Sequence, residues 1–288
     1  MFRNDRPSNK VRPGEYRMRI IDLHCYPNTR EWIACQKPYV DALAAYWNRP
    51  WVPKKEEEVV QEFTAAGIES VLVALDLETT IGTPPCSNDF VSAMQKRHPQ
   101  RIIQSWAAVD PFKESATFDA RHAIQDLGML GFHFHPIMGR FAVNDRRLYP
   151  LFEVINELKV PVMIDVGTTG MGAKIRHAHP SAIDELAADF PALTILAAHP
   201  GWPWVDEMTA VALHKGNVYW ELSGWAPQYF PPQLKKDIRG RLKDKIMFGS
   251  DYPSLPYERL FREWDELGYT DEIREGIFHG NAERVLGL

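Results

Sequence analysis

Ionisable side chains close several short apolar segments of this 288-residue chain. In chain order, the segments end in Asp22 and His24, His133 and His135, Asp165, His199, Glu221, and Asp251. Imidazole nitrogens and carboxylate oxygens bind divalent metal ions, and the same groups transfer protons in enzymes. Because the carboxyl ends of parallel barrel strands meet at one rim, we expect these side chains to surround a single opening.

The segments that must position these residues alternate between strand-like and helix-like patterns. Strands are predicted at Met18–His24, Ser70–Leu75, Arg101–Val109, Met129–His135, Val160–Val166, Leu193–His199, Asn217–Ser223 and Lys245–Asp251. Helical periodicity lies between them, as in Lys54–Ala66, which Gly67 is placed to end. Eight such units predict an α/β protein, a single-domain (β/α)8 TIM barrel. No glycine-rich phosphate loop follows the first strand, which disfavours an open dinucleotide-binding sheet.

Composition narrows the classes of partner and compartment. The formal net charge is −5 and no basic stripe is present, so we expect no nucleic-acid partner. No apolar run reaches the roughly 18–20 residues that a membrane-spanning helix needs. The 3 cysteines form no CxxC pair, which suits a reducing compartment, and we expect a cytoplasmic protein. Residues 1–17 are polar and are predicted to be a flexible arm that precedes a barrel domain at 18–288.

Strand alternation gives each candidate a first interpretation. Asp22, His24 and Tyr26 share one face of the first strand, and Cys25 belongs to the opposite face. Asp22 either binds a metal or orients neighbouring groups. A histidine such as His133 is more often a hydrogen-bonded structural residue than a ligand. Asp251 is expected to be functional, because an unpaired carboxylate at that depth is costly.

Seven motifs in the same order resemble the amidohydrolase-related family, whose members include decarboxylases of the aminocarboxymuconate-semialdehyde and resorcylate types as well as hydrolases. The motifs are Ile21-Asp22-Leu23-His24, Gly131-Phe132-His133-Phe134-His135-Pro136, Leu148-Tyr149-Pro150-Leu151-Phe152, Val160-Pro161-Val162-Met163-Ile164-Asp165-Val166-Gly167, Ala198-His199-Pro200-Gly201-Trp202-Pro203, Phe248-Gly249-Ser250-Asp251-Tyr252-Pro253 and Gly280-Asn281-Ala282-Glu283-Arg284. The resemblance runs from about Met18 to the C-terminus. It implies a (β/α)8 barrel that holds one divalent metal ion, most commonly zinc.

The resemblance carries over to individual positions with two departures. His24 matches the first histidine of the family's His-x-His pair, and Tyr26 occupies the second position. The fifth-strand histidine ligand is replaced by Asp165, whereas His199 and Asp251 match the family. The implied metal ligands are His24, Asp22, Asp165 and Asp251. This oxygen-rich set favours manganese or magnesium more than the usual site does, and a site without metal is the other possible outcome.

The resemblance implies a small-molecule enzyme with Asp251 and His199 as the catalytic residues. We expect a metal-dependent hydrolase or carboxy-lyase acting on a carboxylated, planar substrate, and a homo-oligomer. The predicted substrate-binding residues are Tyr26, His135, Arg140 and Trp202, with Arg140 as a clamp for a carboxylate or as a surface partner of Asp145. Two alternatives are a metal-free lactonase-type hydrolase on the same barrel and a catalytically inactive binding subunit.

Overall fold

The computed structural model describes residues 18–48, 50–169 and 172–288. The predicted arm at 1–17 lies outside the described residues.

Eight parallel strands form the centre of the described part of the chain. They are β1 (Ile21–Cys25), β2 (Glu69–Val73), β3 (Ile102–Trp106), β4 (Phe132–Phe134), β5 (Val162–Asp165), β6 (Ile195–Ala198), β7 (Val218–Glu221) and β8 (Ile246–Met247). Ladders join β1 to β3 and β4 to β8 in sequence order. Parallel bridges between Ala107 and Phe132 and between Cys25 and Tyr252 close the ring. The predicted (β/α)8 barrel is confirmed.

Helices follow the strands and cover the outside of the barrel. The α-helices are α1 (Arg30–Cys35), α2 (Lys37–Trp47), α3 (Glu56–Ala66), α4 (Glu78–Ile81), α5 (Asn88–Arg97), α6 (Ala116–Gln125), α7 (Pro136–Gly139), α8 (Tyr149–Leu158), α9 (Pro180–Asp189), α10 (Val205–His214), α11 (Pro232–Ile238), α12 (Tyr257–Glu266), α13 (Asp271–Glu275) and α14 (Asn281–Leu286). None of these described helices combines the length and the apolar character that crossing a bilayer requires.

Local sequence explains where the helices begin and end. Helix α3 carries three glutamates in its first turn, where the helix dipole favours negative charge. It buries Val59 and Phe63 against the barrel and ends at Gly67, which has a φ of 70°. Glycine adopts this left-handed conformation without a Cβ clash, so the predicted end of the helix is confirmed.

Strands β6 and β8 end earlier than predicted, at Ala198 and Met247. The φ of His199 is 71°, which takes the backbone out of the strand conformation directly after β6, and Asp251, beyond the end of β8, has a φ of 57°. Non-glycine residues adopt such values at a cost of order 1–3 kcal/mol, and these residues cluster at functional sites. The backbone therefore turns at both residues and holds their side chains at the carboxyl end of the barrel.

Candidate active site

Side chains from five strands converge at the carboxyl end of the barrel. His24 lies on β1, His133 on β4 and Asp165 on β5, whereas His199 and Asp251 follow β6 and β8. The potential ligand atoms of His24, His133 and Asp165 lie within 4.8 Å of one another, and so do those of His24, His199 and Asp251. The structure thus brings together the histidines and two of the aspartates that the sequence singled out. Both groups of three have the donor types that bind a divalent metal ion.

Asp165 lies among three imidazole rings. Its Oδ1 is 3.0 Å from Nε2 of His133, and its Oδ2 is 3.2 Å from Nε2 of His135 and 3.6 Å from Nε2 of His199. Burial alone raises the pKa of this carboxyl, but the surrounding histidines outweigh burial and hold it well below its usual range. Among the described residues, Oδ2 has no hydrogen-bond partner of acceptable geometry. A buried carboxylate oxygen in this state is a suitable ligand for a cation.

His199 and Asp251 provide two proton-transfer groups with different properties. Burial lowers the pKa of His199, but Asp165, with smaller contributions from Asp251 and Glu221, outweighs burial and raises it to about 10. Burial raises the pKa of Asp251 to about 6. The indole Nε1 of Trp220 donates to the His199 carbonyl at 2.7 Å, and the Ser254 hydroxyl donates to Asp251 Oδ2 at 2.9 Å. Near neutral pH the site therefore contains a protonated imidazole and a carboxylate that is close to its titration range.

His24 and Tyr26 form the β1 side of the site. Nε2 of His24 lies 3.2 Å from the Tyr26 hydroxyl and 3.9 Å from Oδ1 of Asp251. Burial lowers the pKa of His24 well below its ordinary value, so its ring is neutral. Burial also raises the pKa of Tyr26, which keeps the phenol protonated. Tyr26 thus places a neutral hydroxyl where the family has a second histidine.

Asp22, one of the predicted metal ligands, belongs to neither of these groups of potential ligand atoms. Its Oδ1 accepts from the backbone N–H groups of Ser250 at 2.9 Å and His24 at 3.2 Å, and its Oδ2 accepts from the Tyr257 hydroxyl at 2.7 Å. Sγ of Cys25 lies 3.5 Å from the same hydroxyl. The register of β1 against β2 shifts between Asp22 and Cys25, so the simple alternation that grouped Asp22 with His24 fails. The hydrogen bonds of Asp22 therefore link β1 to the segment that follows β8 and to α12.

A cavity of about 290 Å³ opens onto this cluster. Aromatic side chains dominate its walls, including Tyr26, Trp32, Trp51 and Trp225. Its polar lining comprises His135, Asp165, Thr168, Thr169, His199, Asp251, Ser254 and Gln36. Two of the predicted substrate-binding residues, Tyr26 and His135, are therefore at the cavity. The volume and the aromatic walls suit a small planar ligand.

The other two predicted substrate-binding residues lie outside the cavity lining. Trp202 is 50% exposed and packs on Trp225, with ring centroids 5.9 Å apart. Arg140 is exposed at the end of α7, where its φ is 54°. Asp145, the alternative partner considered for Arg140, is bound by Arg147 instead. The geometry therefore gives no support to a carboxylate clamp at Arg140.

Two residues that line the cavity carried no signal in the sequence. Trp32 of α1 and Gln36, between α1 and α2, are 3% and 4% exposed. Their donor atoms, Nε1 and Nε2, have no hydrogen-bond partner within the part of the chain that the structure describes. Both residues belong to the long connection after β1, which contains none of the motifs that mark the strand ends. Only the folded chain shows that this connection covers the barrel mouth.

A larger groove of about 590 Å³ lies beside the cavity and shares Trp47, Trp51 and Ser254 with it. None of the clustered histidines or Asp165 and Asp251 lines this groove. We therefore assign the chemistry to the smaller cavity.

The sequence profile of the amidohydrolase family matches residues 21–288. The chain belongs to this family of enzymes, as the order of its motifs indicated.

Two solved structures share the barrel fold. An uncharacterized TIM-barrel protein of Bordetella bronchiseptica superposes with a TM-score of 0.76 at 26% identity, over 94% of this chain and 99% of that protein. A dihydroxybenzoic acid decarboxylase of Polaromonas sp. JS666, solved with manganese and 2-nitroresorcinol, superposes with a TM-score of 0.72 at 18% identity, over 94% and 98%. The latter likeness shows the fold alone.

A curated relative is similar over part of its length. The 2-keto-4-carboxy-3-hexenedioate hydratase of Sphingobium sp. strain SYK-6 is 24% identical over 210 residues. The match covers 59% of this chain and 60% of the hydratase, so the chain spans less than two thirds of that relative.

Proposed function

We propose that this protein is a metal-dependent carboxy-lyase or hydrolase that acts on a small, planar, carboxylated substrate. The observation that carries the proposal is the buried Oδ2 of Asp165, which has no hydrogen-bond partner among the described residues although several imidazoles surround it. Donor atoms of His24 and Asp165, with His133, lie close enough together to hold one ion, and His199 and Asp251 offer a second arrangement with His24. The residues therefore fit a divalent metal ion.

A bound divalent ion would supply a Lewis acid for the oxygens of the substrate. Around it, Asp251 holds or releases a proton at its carboxylate, because its pKa of about 6 lies close to neutral pH. His199 keeps a proton on its ring, because its pKa is raised to about 10. Asp251 is thus the base that removes a proton, and His199 is the acid that donates one to the reacting carbon or oxygen.

The cavity also indicates how a substrate would be held. Aromatic walls stack on a planar conjugated group, and the volume of about 290 Å³ limits the substrate to roughly one ring. Trp32 and Gln36 line the wall of the cavity and carry buried donors for which the described part of the chain offers no partner. We assign them, rather than Arg140, to the oxygen atoms of the substrate. The dihydroxybenzoic acid and carboxyhexenedioate named for two relatives are carboxylated conjugated molecules, which supports this substrate class.

A second candidate is a metal-free hydrolase on the same barrel. It is favoured by the raised pKa of His199, because an imidazolium held by Asp165 already places a positive charge in the cavity. In this case Tyr26, His199 and Asp251 would transfer protons to and from a lactone.

The experiment that tests the proposal combines metal analysis with a substrate panel. We expect the purified protein to contain about one divalent ion per chain, to lose activity with a chelator and to regain it with Mn²⁺ or Zn²⁺. Aromatic carboxylic acids, assayed for CO2 release, and lactones, assayed for ring opening, separate lyase from hydrolase. The variant Asp251→Asn should lose activity in either case. Less than about 0.1 ion per chain with chelator-insensitive turnover would support the metal-free enzyme instead.

A further inference from the structure

The buried hydroxyl group of Ser223 lies within hydrogen-bonding distance of both His24 and His199. Oγ of Ser223, just past β7, lies 3.2 Å from Nδ1 of His24 and 3.0 Å from Nδ1 of His199. The same hydroxyl donates to Oε2 of Glu221 at 2.9 Å, and Oε2 lies 3.3 Å from Nδ1 of His24. Ser223 and Glu221 are 1% and 0% exposed. Their contacts are therefore made without competition from bulk water.

Two glycines in the surrounding backbone leave room for the carboxyl group of Glu221 and the ring of His199. A Cβ atom built at Gly249 would lie 2.0 Å from Oε1 of Glu221, so any larger residue there would displace the carboxyl. A Cβ at Gly224, where φ is +70°, would lie 2.7 Å from Nδ1 of His199. Two glycines thus provide the space that Glu221 and His199 occupy.

We infer that Glu221 and Ser223 are positioning residues that hold the rings of His24 and His199 with Nδ1 turned away from the cavity and Nε2 turned toward it. Neither residue lines the cavity. They act on the chemistry through the two histidines. The inference extends the proposed function, because it rests on those histidines being ligands or acid–base groups.

The hydrogen-bond pattern also assigns the tautomer of His24. The Ser223 hydroxyl has one hydrogen, which it donates to Glu221 Oε2. Burial raises the pKa of Glu221 well above its ordinary value, but a proton on Oε1, which has no hydrogen-bond partner among the described residues, leaves Oε2 an acceptor. Nδ1 of His24 then faces two acceptors, Oγ of Ser223 and Oε2 of Glu221, and we assign the ring hydrogen to it. Nε2 of His24 consequently presents its lone pair toward Tyr26 and Asp251. Residues that hold a metal-binding histidine in this way commonly change metal affinity by about 10- to 100-fold when removed.

The decisive variant is Glu221→Met, which removes the acceptor and keeps a similar volume in a buried site. The Ser223 hydroxyl then loses its partner and donates to Nδ1 of His24, which moves the ring hydrogen to Nε2. We expect two-dimensional ¹H–¹⁵N spectra of the metal-free, ¹⁵N-histidine-labelled protein to show this change of tautomer at His24. Calorimetric titration should show Mn²⁺ affinity about 10- to 100-fold weaker than in the wild type.

Ser70→Ala is the matched control, because Ser70 is also a buried serine with one hydroxyl hydrogen bond, to the Arg101 carbonyl at 2.9 Å. It should change neither the His24 spectrum nor the Mn²⁺ affinity. If Glu221→Met does not fold, Gly249→Ala displaces the carboxyl group without altering Glu221, and the same spectral change is expected. An unchanged His24 tautomer in whichever of these variants folds overturns the inference. Absence of Mn²⁺ binding by the wild type would contradict the proposed metal instead, while the spectra would still test the positioning role.

Discussion

Two buried aspartates of the barrel, Asp22 and Asp165, show how differently the same side chain can be used. Asp22 is 0% exposed and Asp165 is 1% exposed. The carboxylate of Asp22 accepts from two backbone N–H groups and one hydroxyl, and it does not line the cavity. Asp165 lines the cavity, and its Oδ2 has no hydrogen-bond partner among the described residues. Burial therefore does not distinguish the two carboxylates, whereas incomplete hydrogen bonding beside a cavity does.

The pKa values of Asp22 and Asp165 shift in opposite directions. Burial raises the pKa of Asp22, and its hydrogen bonds from Ser250 and Tyr257 offset this only in part. The pKa of Asp165 is lowered, because the charges of the neighbouring histidines outweigh burial. Neutral donors thus stabilise Asp22 as part of the scaffold. Asp165 depends on positive charge in the cavity, which either a protonated histidine or a metal ion supplies.

The largest expected effect comes from Asp165→Asn. This variant removes the carboxylate that faces the imidazoles and should weaken Mn²⁺ binding by more than about 100-fold, since a ligand and its charge are both lost. Calorimetric titration and elemental analysis of the purified variant measure this loss. Wild-type affinity in a folded Asp165→Asn protein would remove Asp165 from the site.

The pH dependence of stability should reveal the same carboxylate in the metal-free protein. The pKa of His199 is raised from 6.5 to about 10, so the stability from its pairing with Asp165 is complete below pH 6.5 and is lost as the pH rises through about 10. Between pH 6.5 and pH 10 the wild type should lose more than about 2 kcal/mol relative to Asp165→Asn. Urea unfolding at both pH values gives this difference. Parallel pH profiles for the two proteins would show that the pair does not contribute.

Asp22→Asn should have the opposite effect to Asp165→Asn. It should lower the stability of the protein and hardly change its Mn²⁺ affinity. It weakens the acceptor for Ser250, His24 and Tyr257, and should lower the free energy of unfolding by about 1–2 kcal/mol. Mn²⁺ affinity should stay within about threefold of the wild type. Urea unfolding and calorimetry on the same preparation measure both quantities. A loss of affinity as large as that in Asp165→Asn would restore Asp22 as a ligand.

Most of the fold and part of the candidate site could be predicted from the sequence. Strand and helix patterns are local, so each of the eight predicted strands overlaps an observed strand, and the helix predicted at Lys54–Ala66 ends where predicted. His24, Asp165, His199 and Asp251 were singled out because each closes an apolar segment, and the structure brings them together. It does not bring Asp22 to the cavity, because the register shift in β1 depends on pairing with β2, which no local pattern records.

Residues of the site that lack a local signal required the folded chain. Trp32 and Gln36 reach the cavity through the long connection after β1, and the role of Ser223 depends on two histidines that are 199 and 24 residues away in the sequence. His133 was interpreted as structural from its position alone, whereas its distance to Asp165 places it with the candidate ligands.

The smallest expected effect comes from Gly224→Ala. This variant tests whether the glycine beside the site is needed for metal binding as well as for the left-handed backbone. Gly224 and Gly82 have φ values of +70° and +71°, but a Cβ at Gly82 meets nothing within 4 Å, whereas one at Gly224 meets Nδ1 of His199. Each alanine variant should lose about 1 kcal/mol of unfolding free energy from the backbone alone. Only Gly224→Ala should also weaken Mn²⁺ binding, because it moves the ring of His199, whose Nε2 lies 3.6 Å from Oδ2 of Asp165. Equal Mn²⁺ affinities for the two variants would mean that His199 can shift without consequence, and would leave Asp165 with His24 and His133 as the ligand set.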